Sequence, residues 1–232
     1  MTRNRPGTKG YRALVFTLLA TFCALVSFAR PIEADAETAI RSERSRIGLG
    51  ILAGYGLFSN SFFGNGVAFG ATFTYGLGRN IAVELAGLYL SESNDPDPKT
   101  VSQGRLTTIP LQLSLLGRLP LGKKLTPYVL AGVSYFLNRF NLDDTVDQSW
   151  HDLGFSRKEE VDSAVGFHVG AGLEYVIGKD LSAGFGVRYL LGKADGEWSI
   201  TDDQSAVEAA GTFSGLDLNT LVFSAGLKYF LR

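Results

Sequence analysis

From Arg46 to the C-terminus, apolar residues recur at every second position in stretches of about a dozen residues, broken by polar or Gly-rich intervals. A period of two places alternate side chains on opposite faces of a strand; a helix would repeat every 3.6. Eight such segments stand out, near 46–57, 66–77, 80–91, 104–117, 125–138, 163–177, 180–192 and 218–231. In the sixth, Val165, Phe167, Val169, Ala171, Leu173, Tyr175 and Ile177 share one face, and Gly166, His168, Gly170, Gly172 and Glu174 share the other. The seventh repeats this, with Leu181, Ala183, Phe185, Val187 and Tyr189 opposite Ser182, Gly184, Gly186 and Arg188.

The connections alternate in length. Short ones follow the even segments (Gly78-Arg79, 118–124, Gly178-Lys179), and long polar ones follow the odd segments (58–65, 92–103, 139–162, 193–217). Breakers such as Asp95-Pro96-Asp97-Pro98 and Asn141-Leu142-Asp143-Asp144 mark the long ones as loops. An even number of strands with short turns at one end and long loops at the other is the plan of an outer-membrane barrel. The expected fold is all-β, an eight-stranded antiparallel up-and-down transmembrane β-barrel. Each segment has the 9–11 residues that a tilted spanning strand needs. A sheet in lipid must close, because an open edge leaves backbone groups without partners.

A soluble barrel or sandwich would also alternate, but its polar face would be rich in Lys, Glu and Thr. Here that face carries Gly48, Gly50, Gly54, Gly56, Gly70, Gly76, Gly166, Gly170, Gly172, Gly184 and Gly186. Small residues suit a narrow bore, where opposite walls compete for space. The apolar face carries Tyr55, Tyr75, Tyr89, Tyr135, Tyr175, Tyr189 and Tyr229 near segment ends, as interfacial girdles do.

Before the first segment, Arg3, Arg5, Lys9 and Arg12 precede an apolar run from Ala13 to Phe28, and Ala34-Asp35-Ala36 follows. This reads as a secretory leader over 1–36, removed after Ala36. Residues 37–45 would be a short periplasmic tail, and 46–232 the barrel. The expected location is the outer membrane of a Gram-negative-type envelope, with membrane lipid and lipopolysaccharide as partners. The near-balance of 22 basic and 23 acidic residues argues against nucleic acid. One Cys and two His build no disulfide framework and no metal or cofactor set. No apolar run of about 20 residues lies beyond the N-terminus, which excludes a helical bundle.

With the N-terminus periplasmic, the inward-facing residues sort by depth. Phe58, Leu88, Leu90, Leu106, Phe136 and Leu190 fall near the outer mouth. Glu84, Arg118, Glu174 and Lys228 fall toward the periplasm, with Gln112, His168 and Arg188 between or above them. An apolar mouth over a charged plug suits a small hydrophobic solute that leaves sideways between strands. The alternative is that these side chains fill the barrel, with Glu84, Glu174, Arg188 and Lys228 as a self-neutralising ion network.

Thr107-Thr108-Ile109-Pro110-Leu111-Gln112-Leu113, Thr126-Pro127-Tyr128-Val129-Leu130-Ala131-Gly132-Val133, Val169-Gly170-Ala171-Gly172-Leu173-Glu174-Tyr175 and the stretch from Val222 to Phe230 resemble the OmpW-like family of small outer-membrane barrels. The resemblance implies an eight-stranded monomeric barrel whose narrow lumen admits small hydrophobic compounds. Ser224, Gly226, Tyr229 and Leu231 look like a signal for the barrel-assembly machinery, although the chain ends in Leu231-Arg232 instead of an aromatic residue.

Other signals point less far. Gly48-Leu49-Gly50-Ile51-Leu52-Ala53 matches a dinucleotide fingerprint, but no strand precedes it and the period of two continues through it. Ser163 lies five residues from His168, but neither His168 nor His151 has a compact Ser and acid neighbourhood for hydrolase chemistry. Asp143, Asp144 and Asp147 lack the Gly and terminal Glu of a calcium loop and read as a solvated acidic loop. Trp150, Phe155 and Trp198 sit in the long loops, where they serve adhesion or pack together. A surface interaction protein acting through 139–162 and 193–217, and a lipid-modifying barrel enzyme, are the competing functions.

Overall fold

The computed structural model describes residues 47–59, 65–78, 80–92, 104–121, 124–202 and 208–231. The expected leader and tail lie outside them, as do Arg79 and the Asp95–Pro98 breakers.

All eight expected segments are strands of one closed barrel. They are β1 (Ile47–Phe58), β2 (Gly66–Gly76), β3 (Ile81–Glu92), β4 (Gly104–Arg118), β5 (Leu125–Leu142), β7 (Ala164–Val176), β8 (Leu181–Leu191) and β11 (Thr220–Leu231). Every neighbouring pair is antiparallel, and β11 closes the ring onto β1. The register can be followed from Gly48 through Thr74, Glu84, Ser114, Gly132, His168, Leu190 and Thr220 to Phe58. One circuit therefore returns to β1 ten residues along, from Gly48 to Phe58. That stagger over eight strands tilts them by about 40°.

Burial alternates as the sequence pattern requires. On the barrel strands the even-numbered side chains face the lumen and the odd-numbered ones face outward. The outward face keeps large apolar residues exposed, including Ile51 (68%), Phe167 (63%) and Phe185 (53%). Only lipid makes such a surface favourable, because in water it would be a contiguous apolar patch far beyond the usual size. Of the seven expected girdle tyrosines, six are exposed; Tyr189 is buried. The inward glycines leave room for larger neighbours. A Cβ on Gly172 or Gly186 would meet the Tyr128 hydroxyl, which reaches across the bore above them.

Two of the expected long loops are not irregular. The strand β5 runs four residues past its expected end, to Leu142. Beyond it come α1 (Asp144–Asp152), β6 (Phe155–Val161), β9 (Lys193–Asp202) and β10 (Glu208–Asp217). The last three form a separate sheet of order β10-β9-β6. Asp143 caps α1 by accepting from the Thr145 N–H at 3.1 Å, and Asp144 and Asp147 lie in its first turn. Their carboxylates thus complement the positive helix end; they do not form a loose acidic loop. Trp150 and Phe155 stack edge to face at 6.3 Å, and the Arg157 guanidinium lies over Trp150. Trp198 packs across Gly211, where a Cβ would strike its ring.

Candidate functional site: the filled lumen and the seam beside it

The lumen has three layers. At the loop end, Ala68, Leu90, Leu106, Phe136, Ala164, Leu190 and Val222 pack with Ala194 of β9 and with Leu218 just past β10, and Phe58 and Phe140 lean against them. Leu88 is buried just below. The six residues expected at an apolar mouth are therefore brought together, but as a packed plug. Phe136 and Leu190 are wholly buried. The segment Leu218-Asn219 seals it: the Leu218 N–H donates to Gly192 O (3.0 Å), and the Asn219 side-chain oxygen accepts from the Gly192 N–H (3.1 Å).

Beneath the plug, His168 spans β7 to β4 and β5. Its Nε2 lies 2.8 Å from Ser114 Oγ and its Nδ1 lies 2.9 Å from Ser134 Oγ. Ser163, the serine nearest His168 in the expected strand, takes no part in either bond. The partners are 54 and 34 residues away in sequence. Only the register around the barrel, in which Gly132 faces both Ser114 and His168, brings them together. Neither partner is a carboxylate, the group that orients the base in a serine hydrolase.

Lower still lies the charged layer. Arg188 donates one guanidinium nitrogen to Glu84 and another to Gln112, each at 2.7 Å. Lys228 bridges Glu84 at 3.4 Å and Glu174 at 3.6 Å, and the Thr74 hydroxyl donates to Glu84 at 3.2 Å. The network ties six of the eight strands together, and the four ionised groups balance. Two Glu with one Arg and one Lys satisfy the rule that buried charges are paired. Against this network, lined by all four ionised groups together with Tyr128 and Ser182, lies a cavity of about 50 Å³, room for a few waters. Ser182 Oγ, Gln112 Nε2 and one terminal nitrogen of Arg118 have no partner among the described residues. Among the described residues Arg118, expected within this layer, takes no part in the ion pairs of Glu84 and Glu174.

The wall carries one irregularity that the period of two does not predict. The β3–β4 register runs from Ile81↔Gly117 to Gly87↔Leu111, lapses, and resumes at Leu90↔Thr108. Every other barrel pair is continuous through its register. The lapse falls at Pro110, which has no N–H. Arg118, of the same parity on β4, donates its N–H to Asn80 O at 2.7 Å, on the β3 side. The missing donor of Pro110 therefore faces Leu88 of β3. Immediately outside, Gly87 leaves an apolar depression of about 720 Å³ among Leu85, Leu111, Leu113, Phe73 and Tyr135. Pro110 was visible in the sequence, but its effect depends on which neighbour it faces.

A model of the outer membrane protein beta-barrel domain matches residues 16–229, nearly the whole chain. The chain belongs to that family. It is a small eight-stranded outer-membrane barrel, and it lies in the outer membrane. The structure of OprG from Pseudomonas aeruginosa is similar at a TM-score of 0.53 and 16% identity, over 81% of this chain and 98% of that one. Neisserial surface protein A is similar at 0.56 and 12%, over the same shares. The outer membrane protein W of E. coli, 20% identical over 81% of this chain and 98% of that one, superposes at 0.40. The first two likenesses show the barrel fold. No curated protein matches the chain.

Proposed function

We propose that the barrel takes up small hydrophobic molecules at its loop end and releases them sideways into the bilayer between β3 and β4. The observation that carries this reading is the lapse in pairing at Pro110. It lies at the level where the apolar plug gives way to His168 and the ion network. An axial route would carry an apolar solute through Glu84, Arg188 and Lys228, at the cost of separating buried charges. A lateral route crosses only Leu88, Pro110 and the depression around Gly87. The wall is weakest there because one backbone hydrogen bond is missing where lipid supplies no substitute. Loading requires the plug residues to part, and burial of solute surface in their place returns roughly 25 cal/mol per Å².

The test is a reversible staple. Tyr89 and Ile109 face each other across the lapse at a non-hydrogen-bonded position, where Cα atoms approach to about 4.5 Å, within disulfide reach. In a Tyr89→Cys/Ile109→Cys protein reconstituted in vesicles, oxidation should slow uptake of a hydrophobic fluorophore several-fold, and reduction should restore it. Equal rates in the two states would remove lateral release.

A second reading, a surface interaction protein acting through 139–162 and 193–217, draws support from their folding into α1 and the β10-β9-β6 sheet. Exchanging residues 193–217 for a short turn should abolish binding to a surface partner on that reading. Vesicle uptake distinguishes the two, because deletion on the transport reading opens the plug without removing the seam.

A further inference from the structure

Arg105 and Arg139 form a pair on the outer wall that transport does not use. Thr107 faces Arg139 and Arg105 faces Asn141 across the β4–β5 ladder, so the two arginines are diagonal neighbours on the outward face. Such neighbours sit about 7–8 Å apart. The stagger raises each successive strand by a little over one residue, which brings this diagonal nearly level with the membrane plane. Both side chains are exposed, and among the described residues neither is paired with a carboxylate. Directly below them on the same two strands, Ile109, Leu111, Tyr135 and Leu137 present the apolar lipid-facing band. The pair therefore sits at the loop end where the hydrocarbon stops and headgroups begin.

Two like charges on neighbouring sheet positions repel unless something lies between them. A guanidinium presents a fixed fork of donors that matches phosphate oxygens in a bidentate way. We propose that Arg105 and Arg139 clamp the phosphate of a phosphorylated glycolipid in the outer leaflet, with its acyl chains lying along Ile109, Leu111 and Leu137. An anionic lipid suits this position better than a soluble anion, because the apolar strip beneath the pair holds the chains and raises the local concentration of the headgroup. Thr107, between the arginines and the band, offers a hydroxyl at the same level.

The experiment uses the full chain refolded in phosphatidylcholine vesicles containing either bisphosphorylated lipid A or the same lipid with its phosphates removed. Lipid retained per barrel after mild detergent extraction is measured by mass spectrometry. Wild type should retain the phosphorylated lipid, and Arg105→Gln/Arg139→Gln should retain at least about tenfold less, the loss expected from a charge-assisted pair of hydrogen bonds. The dephosphorylated lipid should be held by wild type no better than by the double variant. Heat-dependent gel mobility reports whether each barrel is folded, and the dephosphorylated arm needs no variant at all. Equal retention by wild type and double variant, equal retention of the two lipids, or displacement by millimolar inorganic phosphate would each overturn the clamp.

Discussion

The buried polar residues set the steepest local penalties. Glu84 is nearly fully enclosed and holds both Arg188 and Lys228. Glu84→Ala leaves buried Arg188 without its anion and Lys228 with Glu174 alone, which costs about 3–5 kcal/mol. Equilibrium unfolding in vesicles should show this, whereas the double change Glu84→Leu/Arg188→Leu should recover part of it, since only Lys228 and Glu174 then remain to pair. Ser114→Ala is milder. It removes the partner of one His168 nitrogen inside a closed lumen and should cost about 1–3 kcal/mol. Gly132→Ala is of a different kind. A Cβ there would strike the Leu113 carbonyl of the neighbouring strand, which cannot swing away as a side chain does. That variant should fail to reach the heat-resistant folded band on a gel. None of the three positions announces its partner in sequence. Glu84 and Arg188 lie 104 residues apart, and Ser114 and His168 lie 54 apart, so their contact follows from the stagger of the barrel, which no single strand displays.

Among the elements, legibility divides at the membrane surface. Each spanning strand must offer one face to lipid, so it carries an unbroken apolar row such as Leu181, Ala183, Phe185 and Val187, and the period of two is plain. The outer sheet has no such duty. In β6, Phe155-Ser156-Arg157-Lys158-Glu159-Glu160-Val161 sets charged residues on both its exposed and its half-buried face, and the same text describes a polar loop. The salt bridge of Arg157 with Glu159 and the stacking on Trp150 hold it instead. The expected lumen layers were legible because parity and strand direction suffice to place them. That the upper layer is packed shut was not, since Ala194 and Leu218 come from segments with no readable pattern. In β4, Pro110→Ala restores a donor toward Leu88. It should strengthen the seam by about 0.5–1.5 kcal/mol and slow release of a hydrophobic probe, as read by vesicle uptake.

For the whole molecule, the ring order places the β8–β11 pair directly opposite the β3–β4 pair. Gly192 alone separates β8 from β9, and Leu218-Asn219 alone joins β10 to β11. The outer hairpin is thus a direct prolongation of the wall farthest from the lapse. An epitope inserted between Asp202 and Glu208, where the chain passes from β9 to β10, should leave hydrophobic uptake within about twofold of wild type, because insertions between hairpin strands away from the packed lumen are tolerated. A large fall in uptake would show that the two walls are mechanically joined.

That opposition separates handle from door. Anything that grips the hairpin pulls on the wall that continues into it through Gly192 and Leu218-Asn219. The hinge at Pro110 hangs half a circumference away, where the tug arrives last, so a cell-surface partner and a departing solute need not compete for the same staves.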